Sequence, residues 1–308
     1  MRILIVTPRS GGLATGNFCS AEQWREALSG LGHDVEVAPA SEGQQVDLLV
    51  ALHARRSYES ISAFPGKVVV VLTGTDIYPE PDEIVLDSMS CADRLVALQS
   101  KAVEQVPPEL RDKARVILQA APAPAVAQRD PDRFDIAVVG HLRAVKDPMR
   151  AAEAVRQLPK TSKARVQHVG GVLEPEFERV ARREMSVTPR YEWLGELSPE
   201  DTAAVIAGAN LLAVTSRSEG AGRVVGEAIV AGTPVISTRI DGVAGLLGED
   251  YPGYFPVGDT EALAELINRL ETDTDFLDSL RERCRALAPQ FSQASETAGW
   301  ANLLAELF

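Results

Sequence analysis

Two clusters of basic residues have the chemistry to bind a phosphorylated ligand. Arg143 and Lys146 stand three residues apart, directly after an apolar run. Basic side chains are unfavourable at the start of a helix unless an anion neutralises them, so we predict that this pair clamps a diphosphate; a solvated helix start is the alternative. His53, Arg55 and Arg56 follow another apolar run in the first half of the chain. Guanidinium groups match phosphate oxygens, and we expect one of the two arginines to face solvent.

Glycine-rich segments near these clusters could bring backbone amides against an anion. Gly11 and Gly12 follow the first apolar run and precede a helical pattern, where free amides and the positive end of a helix can contact a phosphate. An ordinary glycine turn explains them equally well. The most specific segment lies between two glutamates at 219 and 227, and its candidate amide donors at a helix start are Gly220, Ala221, Gly222, Arg223 and Val224.

The two glutamates of this segment have a spacing that suits sugar recognition. Glu219 and Glu227 are separated by seven residues, about two helical turns, so on one helix they would face the same side. Carboxylates there could accept hydrogen bonds from paired hydroxyls of a sugar and of a ribose. A solvated acidic helix face is the alternative, but it explains Glu227 poorly because apolar residues such as Val225 and Ala228 surround it.

Several other kinds of site are disfavoured. The sequence lacks the G-x-G-x-x-G, G-x-x-x-x-G-K-[ST], H-E-x-x-H and G-x-S-x-G motifs of dinucleotide enzymes, P-loop kinases, zinc proteases and serine hydrolases. Its three cysteines have neither a disulfide nor a zinc-ligand spacing, and its two D-x-D pairs lie in a linker and a helical tail. We therefore predict no metal and no cofactor. His33 and His168 are interpreted as structural, since they lie in a turn and inside a strand pattern.

The charge of the chain limits its partners. Its 308 residues carry 44 acidic and 31 basic side chains, for a formal net charge of −13, so its surface repels nucleic acids and anionic membranes. The longest apolar runs are far shorter than the ~20 residues that span a bilayer. We expect a cytoplasmic protein that binds neither nucleic acid nor membrane, and the sequence leaves its oligomeric state open.

Short apolar runs alternate with amphipathic stretches, the pattern of parallel α/β sheets. The predicted strands are 2–7, 34–38, 46–52, 67–73, 94–99 and 115–119, then 134–139, 164–169, 191–194, 210–215 and 234–238. Proline and small residues at 120–133 indicate a linker between the two series. We predict two Rossmann-like, doubly wound domains facing across a cleft. They are residues 1–122, with a final helix at 294–308 packing back on them, and residues 123–293.

Ligands of doubly wound sheets bind beyond the carboxyl ends of the strands. Both basic clusters and the glycine segments occupy such ends, and so does the loop Thr73, Gly74, Thr75 and Asp76 after the fourth predicted strand. Two such rims are rich in cations and backbone amides. They predict a site for a phosphorylated ligand.

The second half resembles the nucleotide-sugar domain of family 4 glycosyltransferases, which have the GT-B fold. The resemblance covers about 134–255 through an ordered set of motifs, Val139-Gly140-His141-Leu142, Lys146, Trp193-Leu194-Gly195, Glu219, Glu227-Ala228 and Ala231-Gly232-Thr233-Pro234. It implies a UDP-sugar donor, with Lys146 and Arg143 on the diphosphate and the amides of 221–224 supporting it. It also implies that Glu227 holds the ribose, that Glu219 holds the hexose and that Gly195 lies near the uracil.

This sequence departs from the family pattern in two places. The arginine that usually follows the strand glycine is His141 here, so Arg143 is expected to take its role. The glutamate often found after the later G-G turn is replaced near 241–245, which leaves the sugar contact there open.

A further resemblance covers nearly the whole chain and is to the selenosugar synthases of selenoneine biosynthesis. The motifs that carry it are 52–57 (LHARRS), 71–78 (VLTGTDIY), 139–143 (VGHLR) and 250–256 (DYPGYFP). These glycosyltransferase-like enzymes join a UDP-sugar, typically UDP-N-acetylglucosamine, to selenophosphate, and release UDP and phosphate. The N-terminal half of a GT-B enzyme normally presents the nucleophile, and a small anion such as selenophosphate would need a cationic cluster, so we expect His53, Arg55, Arg56 and the 73–76 loop to bind it.

The expected chemistry needs little proton transfer, because a selenium nucleophile already carries its charge. We expect Arg143, Lys146 and helix amides to stabilise the departing UDP, with His53 and Glu219 as the other catalytic candidates. Two alternatives stay open. One is a conventional family 4 transferase acting on a small hydroxyl or thiol acceptor, with His53 or Asp76 as the base. The other is a non-catalytic module that binds nucleotide sugars.

Overall fold

The apolar runs of the sequence form the strands of two parallel sheets, one in each unit of the chain. This computed structural model describes residues 1–8, 16–122 and 129–308. Contacts divide the chain into a first unit, Met1–Ala120, Glu219–Arg223 and Gln290–Phe308, and a second unit, Ala121–Ser218 and Val224–Pro289. Gly11, Gly12 and the middle of the predicted linker lie outside the described residues.

The first unit contains six strands and, in its 1–120 segment, three of the helices. The strands are β1 (Arg2–Val6), β2 (Asp34–Ala38), β3 (Leu48–Leu52), β4 (Lys67–Leu72), β5 (Arg94–Ala97) and β6 (Ala114–Val116), and the helices are α1 (Gly16–Gly30), α2 (Tyr58–Ala63) and α3 (Glu83–Cys91). The sheet order is β2-β1-β3-β4-β5-β6, and every neighbouring pair is parallel. All of β3 and all but the first residue of β4 are buried, as expected for parallel strands covered on both faces.

The second unit repeats this architecture. Its strands are β7 (Phe134–Val139), β8 (Ala164–Val169), β9 (Tyr191–Gly195), β10 (Leu211–Val214), β11 (Val235–Thr238) and β12 (Tyr254–Phe255), in the order β12-β11-β10-β7-β8-β9. All neighbouring pairs are parallel. The helices are α4 (Arg150–Gln157), α5 (Pro175–Val187), α6 (Pro199–Gly208), α7 (Arg223–Ala231), α8 (Asp241–Leu247), α9 (Thr260–Thr272) and α10 (Thr274–Leu287).

The last helix, α11 (Gln293–Leu307), belongs to the first unit and packs on α1. Trp300 stacks edge-on against Trp24, with ring centroids 5.1 Å apart. The carboxylate of Glu296, only 1% exposed, accepts hydrogen bonds of 2.7 Å from Trp24 Nε1 and from Gln23 Nε2. A buried carboxylate with two side-chain donors therefore fixes this helix to α1.

The prediction of two doubly wound parallel sheets is confirmed. The strand predicted at 94–99 ends early because Gln99 begins a 3-10 turn, Ser100–Gln105, whose first amides its side chain accepts. The two-residue strand β12 was not predicted. No helix among residues 1–8, 16–122 and 129–308 has the length and apolar character to cross a membrane.

Candidate active site

Each sheet has one point at which the chain reverses its direction of strand addition. In the first sheet this point lies between β1 and β3, and in the second sheet between β7 and β10. At such a point the loops after two neighbouring strands run in opposite directions. This opens a crevice at the carboxyl edge of the sheet, which is where such sheets bind ligands. His53 directly follows β3, and the Gly140 to Lys146 turn directly follows β7.

The turn after β7 holds the two cations predicted to bind a diphosphate. Arg143 precedes a short 3-10 turn, Ala144–Lys146, which ends at Asp147 in the left-handed region (φ 45°). Asp147 is fixed there because its carboxylate accepts a hydrogen bond of 3.0 Å from Arg150 Nε. The Nε of Arg143 is buried and has no hydrogen-bond partner among the described residues. This donor is therefore unsatisfied within the described residues.

The loop after β10 is tied to that turn by hydrogen bonds. The Thr215 hydroxyl donates to the carbonyls of Lys146 and Asp147 at 3.0 and 3.2 Å, and the Arg217 amide donates to the Val145 carbonyl at 2.8 Å. The ends of β7, β8 and β10 thereby form a small cavity, lined among others by Gly140, Lys146, His168, Thr215 and Ser216. Sequence reasoning missed Thr215, although a polar residue ending a buried strand is a readable signal.

His168 supports the floor of this cavity. Its Nε2 lies 3.0 Å from the Gly140 carbonyl, which can only accept, so Nε2 carries the proton. Nδ1 therefore accepts from the Tyr191 hydroxyl, also at 3.0 Å. Burial lowers the pKa of His168 to about 4, since the charged imidazolium would lose its water. The imidazole is neutral at neutral pH, and both of its nitrogens bond to groups of the second unit.

Gly170 provides the close approach of β8 to the same turn. Its φ is +156°, and a Cβ there would lie 2.0 Å from the Gly140 carbonyl oxygen. The indole N–H of Trp193 donates to the Gly170 carbonyl at 2.8 Å. His141, in the position of the family arginine, accepts the Gly171 amide on Nδ1 at 3.0 Å. Its imidazole is thus bound to the neighbouring loop.

The glycine-rich segment differs from its prediction in one respect. Helix α7 begins at Arg223, and Gly222 before it has a left-handed φ of +51°. Glu219 therefore precedes the helix, and the expectation that both glutamates lie on one helix is wrong. Glu227 is on α7 in the second unit and is partly buried, whereas Glu219 groups with the first unit. Gly195 ends β9 with φ +76° and open space around the position of a Cβ.

In the first unit, His53 lies in the left-handed region (φ +71°) and is 4% exposed. Its Nε2 is 3.2 Å from the hydroxyl of Thr75, an exposed residue. Burial lowers the pKa of His53, and the guanidiniums of Arg56 and Arg55 add to this, whereas the carboxylate of Asp76 opposes it. The structure therefore brings together His53 and the loop after β4, as the sequence indicated.

The remaining predicted acceptor residues have distinct surroundings. Arg55 and Arg56 are both exposed, and Arg55 Nε pairs with Asp82 at 2.7 Å. Asp76 is fully buried, and its carboxylate accepts the amides of Ala54, Thr73 and Gly74 at 2.9, 3.0 and 2.7 Å. Its side chain is therefore committed to joining the loops after β3 and β4. Within the described parts of the chain, no ion pair of Arg56 with a carboxylate is seen, in contrast to the Arg55–Asp82 pair.

One residue of the first unit escaped sequence reasoning. Gln99 is fully buried, and its side-chain amide donates to the Tyr78 hydroxyl at 2.9 Å and to the Gly220 carbonyl at 3.3 Å. A Cβ on Gly220 would lie 2.0 Å from the carbonyl oxygen of Thr73. Among the described residues, no group of three or more His, Cys, Asp and Glu side chains could hold a metal ion.

The two parallel-sheet units have the architecture of GT-B glycosyltransferases. Similar solved structures include Anabaena HepE in complex with UDP and glucose, with a TM-score of 0.77 and 19% identity over all of both chains. Sucrose-phosphate synthase from Thermosynechococcus elongatus has a TM-score of 0.79 and 18% identity, covering 100% of this chain and 99% of its own. At these identities the likeness shows the fold alone.

Residues 122–290 match the family Glycosyl transferases group 1, and the chain belongs to this family. D-inositol 3-phosphate glycosyltransferase of Corynebacterium kroppenstedtii is 31% identical over 170 residues, 52% of this chain and 38% of the relative. The enzyme of the same name from Nocardia farcinica is 29% identical over 245 residues, 72% of this chain and 52% of the relative. The chain thus spans about half or less of these relatives.

Proposed function

We propose that this protein transfers a sugar from a UDP-sugar, typically UDP-N-acetylglucosamine, to selenophosphate. The observation that carries the donor half is the Arg143 to Lys146 turn at the switch point of the second sheet, where a buried guanidinium N–H has no partner among the described residues. A diphosphate would accept from this group, and a charge-assisted hydrogen bond of this kind is among the strongest available. Anabaena HepE, which shares the fold, has been solved with UDP-glucose.

The other donor contacts in this proposal are those that the family resemblance implies. Lys146 lies beside Gly140, where a Cβ would lie 3.4 Å from its Cδ, an ordinary van der Waals distance, so the stem of the lysine packs directly over this glycine. Glu227 on α7 is assigned to the ribose hydroxyls and Glu219 to the hexose. The amides of 221–224 supply further donors to the diphosphate.

Selenophosphate as the acceptor is supported by the sequence motifs at 52–57 and 71–78 and by the chemistry of their loops. Asp76, one of two residues expected to act as a base for a hydroxyl, is fully buried with both oxygens accepting amides. Arg56 is an exposed cation beside the neutral His53. This rim favours a nucleophile that arrives as an anion over one that must be deprotonated.

The reaction balances in two steps. Selenium attacks the anomeric carbon with its electron pair, the bond from that carbon to the UDP oxygen breaks, and UDP leaves as an anion beside Arg143 and Lys146. Water then attacks phosphorus, the Se–P bond breaks with its electron pair on selenium, and phosphate and the selenosugar are released. Stabilisation of the leaving UDP is the main contribution of the protein.

A second candidate is transfer to a small hydroxyl or thiol acceptor. It is supported by relatives named D-inositol 3-phosphate glycosyltransferase. This reaction needs a base, and His53 is the remaining candidate on the first rim.

An acceptor panel separates the two candidates. UDP release from UDP-N-acetylglucosamine is measured with selenophosphate, with D-inositol 3-phosphate and with neither, and we expect release with selenophosphate. Arg56→Gln should raise the KM for selenophosphate about tenfold and leave UDP affinity unchanged. Arg55→Gln is the matched control and should change it less, because Arg55 is already paired with Asp82. Release with the inositol phosphate alone would establish the second candidate, and UDP binding without any release would indicate a binding module.

A further inference from the structure

We propose that Thr75 is a specificity-determining residue for an anionic acceptor, and that His53 acts as a positioning residue that holds the Thr75 hydroxyl as a hydrogen-bond donor. The inference rests on the proposed function and deepens it. It starts from the exposure of the two residues: His53 is 4% exposed, whereas Thr75 is exposed. A ligand at this rim meets the threonine hydroxyl, and the histidine acts through it.

The hydrogen bonds around His53 give its imidazole a direction. The backbone amide of Arg56 donates to Nδ1 at 3.5 Å, and the carboxylate of Asp76 lies farther from Nδ1, at 4.0 Å. An amide N–H can only donate, so Nδ1 is the accepting nitrogen. In the neutral imidazole the proton is then on Nε2, and it points to the Thr75 hydroxyl oxygen at 3.2 Å.

This arrangement sets the polarity of the hydroxyl. Because Nε2–H donates to Oγ1, the hydrogen of the Thr75 hydroxyl is left to donate elsewhere. In the part of the chain that the structure describes, His53 is the side chain bonded to this oxygen. The sequence of donors runs from amide to imidazole to hydroxyl and ends in a donor at the surface. A substrate that attacks through a hydroxyl group would instead need a hydrogen-bond acceptor here to take its proton.

The backbone supports the same orientation. A left-handed conformation is uncommon for a residue other than glycine, and it persists where the surroundings fix it. Two contacts hold the loop that follows: the Ala54 amide donates to Asp76 at 2.9 Å, and the Ser57 hydroxyl donates to the Leu52 carbonyl at 2.7 Å. Asp76 also accepts the amides of Thr73 and Gly74, so the loops that carry His53 and Thr75 share one anchor.

The test compares Thr75→Val with Thr75→Ser in steady-state kinetics. A hydrogen bond to a charged group contributes enough that its loss should raise the KM for selenophosphate about tenfold or more. The KM for the UDP-sugar should stay within about twofold, and serine should restore the wild-type value. Thr272→Val, an exposed threonine on α9, is the control and should change neither constant.

His53→Asn tests the positioning role, since asparagine tolerates a left-handed backbone. It should raise the same KM, and the double variant should lose no more than Thr75→Val alone, because both act through one donor. An unchanged KM for selenophosphate in Thr75→Val overturns the proposal. A fall in kcat with KM unchanged also overturns it, since that pattern belongs to proton transfer.

A binding measurement separates this proposal from the proposed function. The affinity for thiophosphate, an unreactive analogue for this purpose, is measured by calorimetry in the presence of UDP. If the wild-type protein releases no UDP with selenophosphate, the proposed function fails, and the Thr75 anion site stands only if Thr75→Val binds thiophosphate about tenfold more weakly. Equal affinities of the wild-type protein and Thr75→Val for thiophosphate would rule out an anion site at Thr75.

Discussion

Acidification should destabilise the second unit through His168. In the folded protein this imidazole is 1% exposed and its pKa is lowered to about 4, whereas its ordinary value is 6.5. Below pH 6.5 the unfolded chain binds a proton that the folded one does not, so stability present above this pH is lost as pH falls toward 4. At about pH 5 the linkage gives a loss of about 2 kcal/mol, rising to about 3 kcal/mol below pH 4.

The assay follows urea unfolding by hydrogen exchange of peptides from β7 and β8 between about pH 7 and pH 5. His168→Gln can keep a donor toward the Gly140 carbonyl and an acceptor for the Tyr191 hydroxyl, but it does not titrate. Relative to this variant, the wild-type protein should lose about 2 kcal/mol over the interval. His33→Gln is the control and should leave the exchange of β7 and β8 as in the wild type, because His33 lies in the first unit. Parallel pH curves for wild type and His168→Gln would refute the reasoning.

Three further predictions concern the two units separately. Gly170→Ala should destabilise the second unit by about 2 kcal/mol or more in urea unfolding, because its Cβ would meet a carbonyl oxygen at 2.0 Å. Gly232→Ala, with φ +70° and open space, should cost less, and equal costs would contradict the packing argument. Glu296→Ala should lower the stability of the first unit by about 2–4 kcal/mol, because it leaves two donors unsatisfied. Glu306→Ala on the same helix breaks exposed ion pairs and should lower it less. The opposite order in thermal melts would exclude Glu296 as the anchor of α11. Lys146→Ala should weaken UDP binding about tenfold or more by calorimetry, and an unchanged affinity would remove this lysine from the donor site.

The architecture was predictable because parallel strands buried on both faces leave a direct mark on the sequence. The run Lys67–Leu72 consists of apolar residues after its first lysine and became β4 as predicted. The position of each switch point depends on the order of the strands in the sheet. It was not predictable, because the local sequence does not encode strand order. Even so, the polar residues that follow β3 and β7 lie at the carboxyl ends of the strands, next to the switch points, which is where such sheets bind ligands.

The side-chain details of the candidate site were less predictable. Asp76 was expected to contact a ligand, yet its carboxylate is buried among three backbone amides. Nothing in the local sequence distinguishes a loop anchor from a ligand contact, because both require a carboxylate at a strand end. Likewise, Glu219 fits the helical spacing with Glu227, but α7 begins only at Arg223, after Gly222 with its left-handed φ, so Glu219 precedes the helix. Tertiary contacts decided both cases.

The proposed reaction forms a bond between selenium and the anomeric carbon of a UDP-sugar. It is tested most directly by mass spectrometry of the products after the protein is incubated with UDP-N-acetylglucosamine and selenophosphate. We expect UDP together with a hexosamine that carries the isotope pattern of selenium, and neither product when selenophosphate is omitted. UDP release with no selenium on the sugar, or a selenium-free glycoside formed from a hydroxyl acceptor under the same conditions, would contradict it.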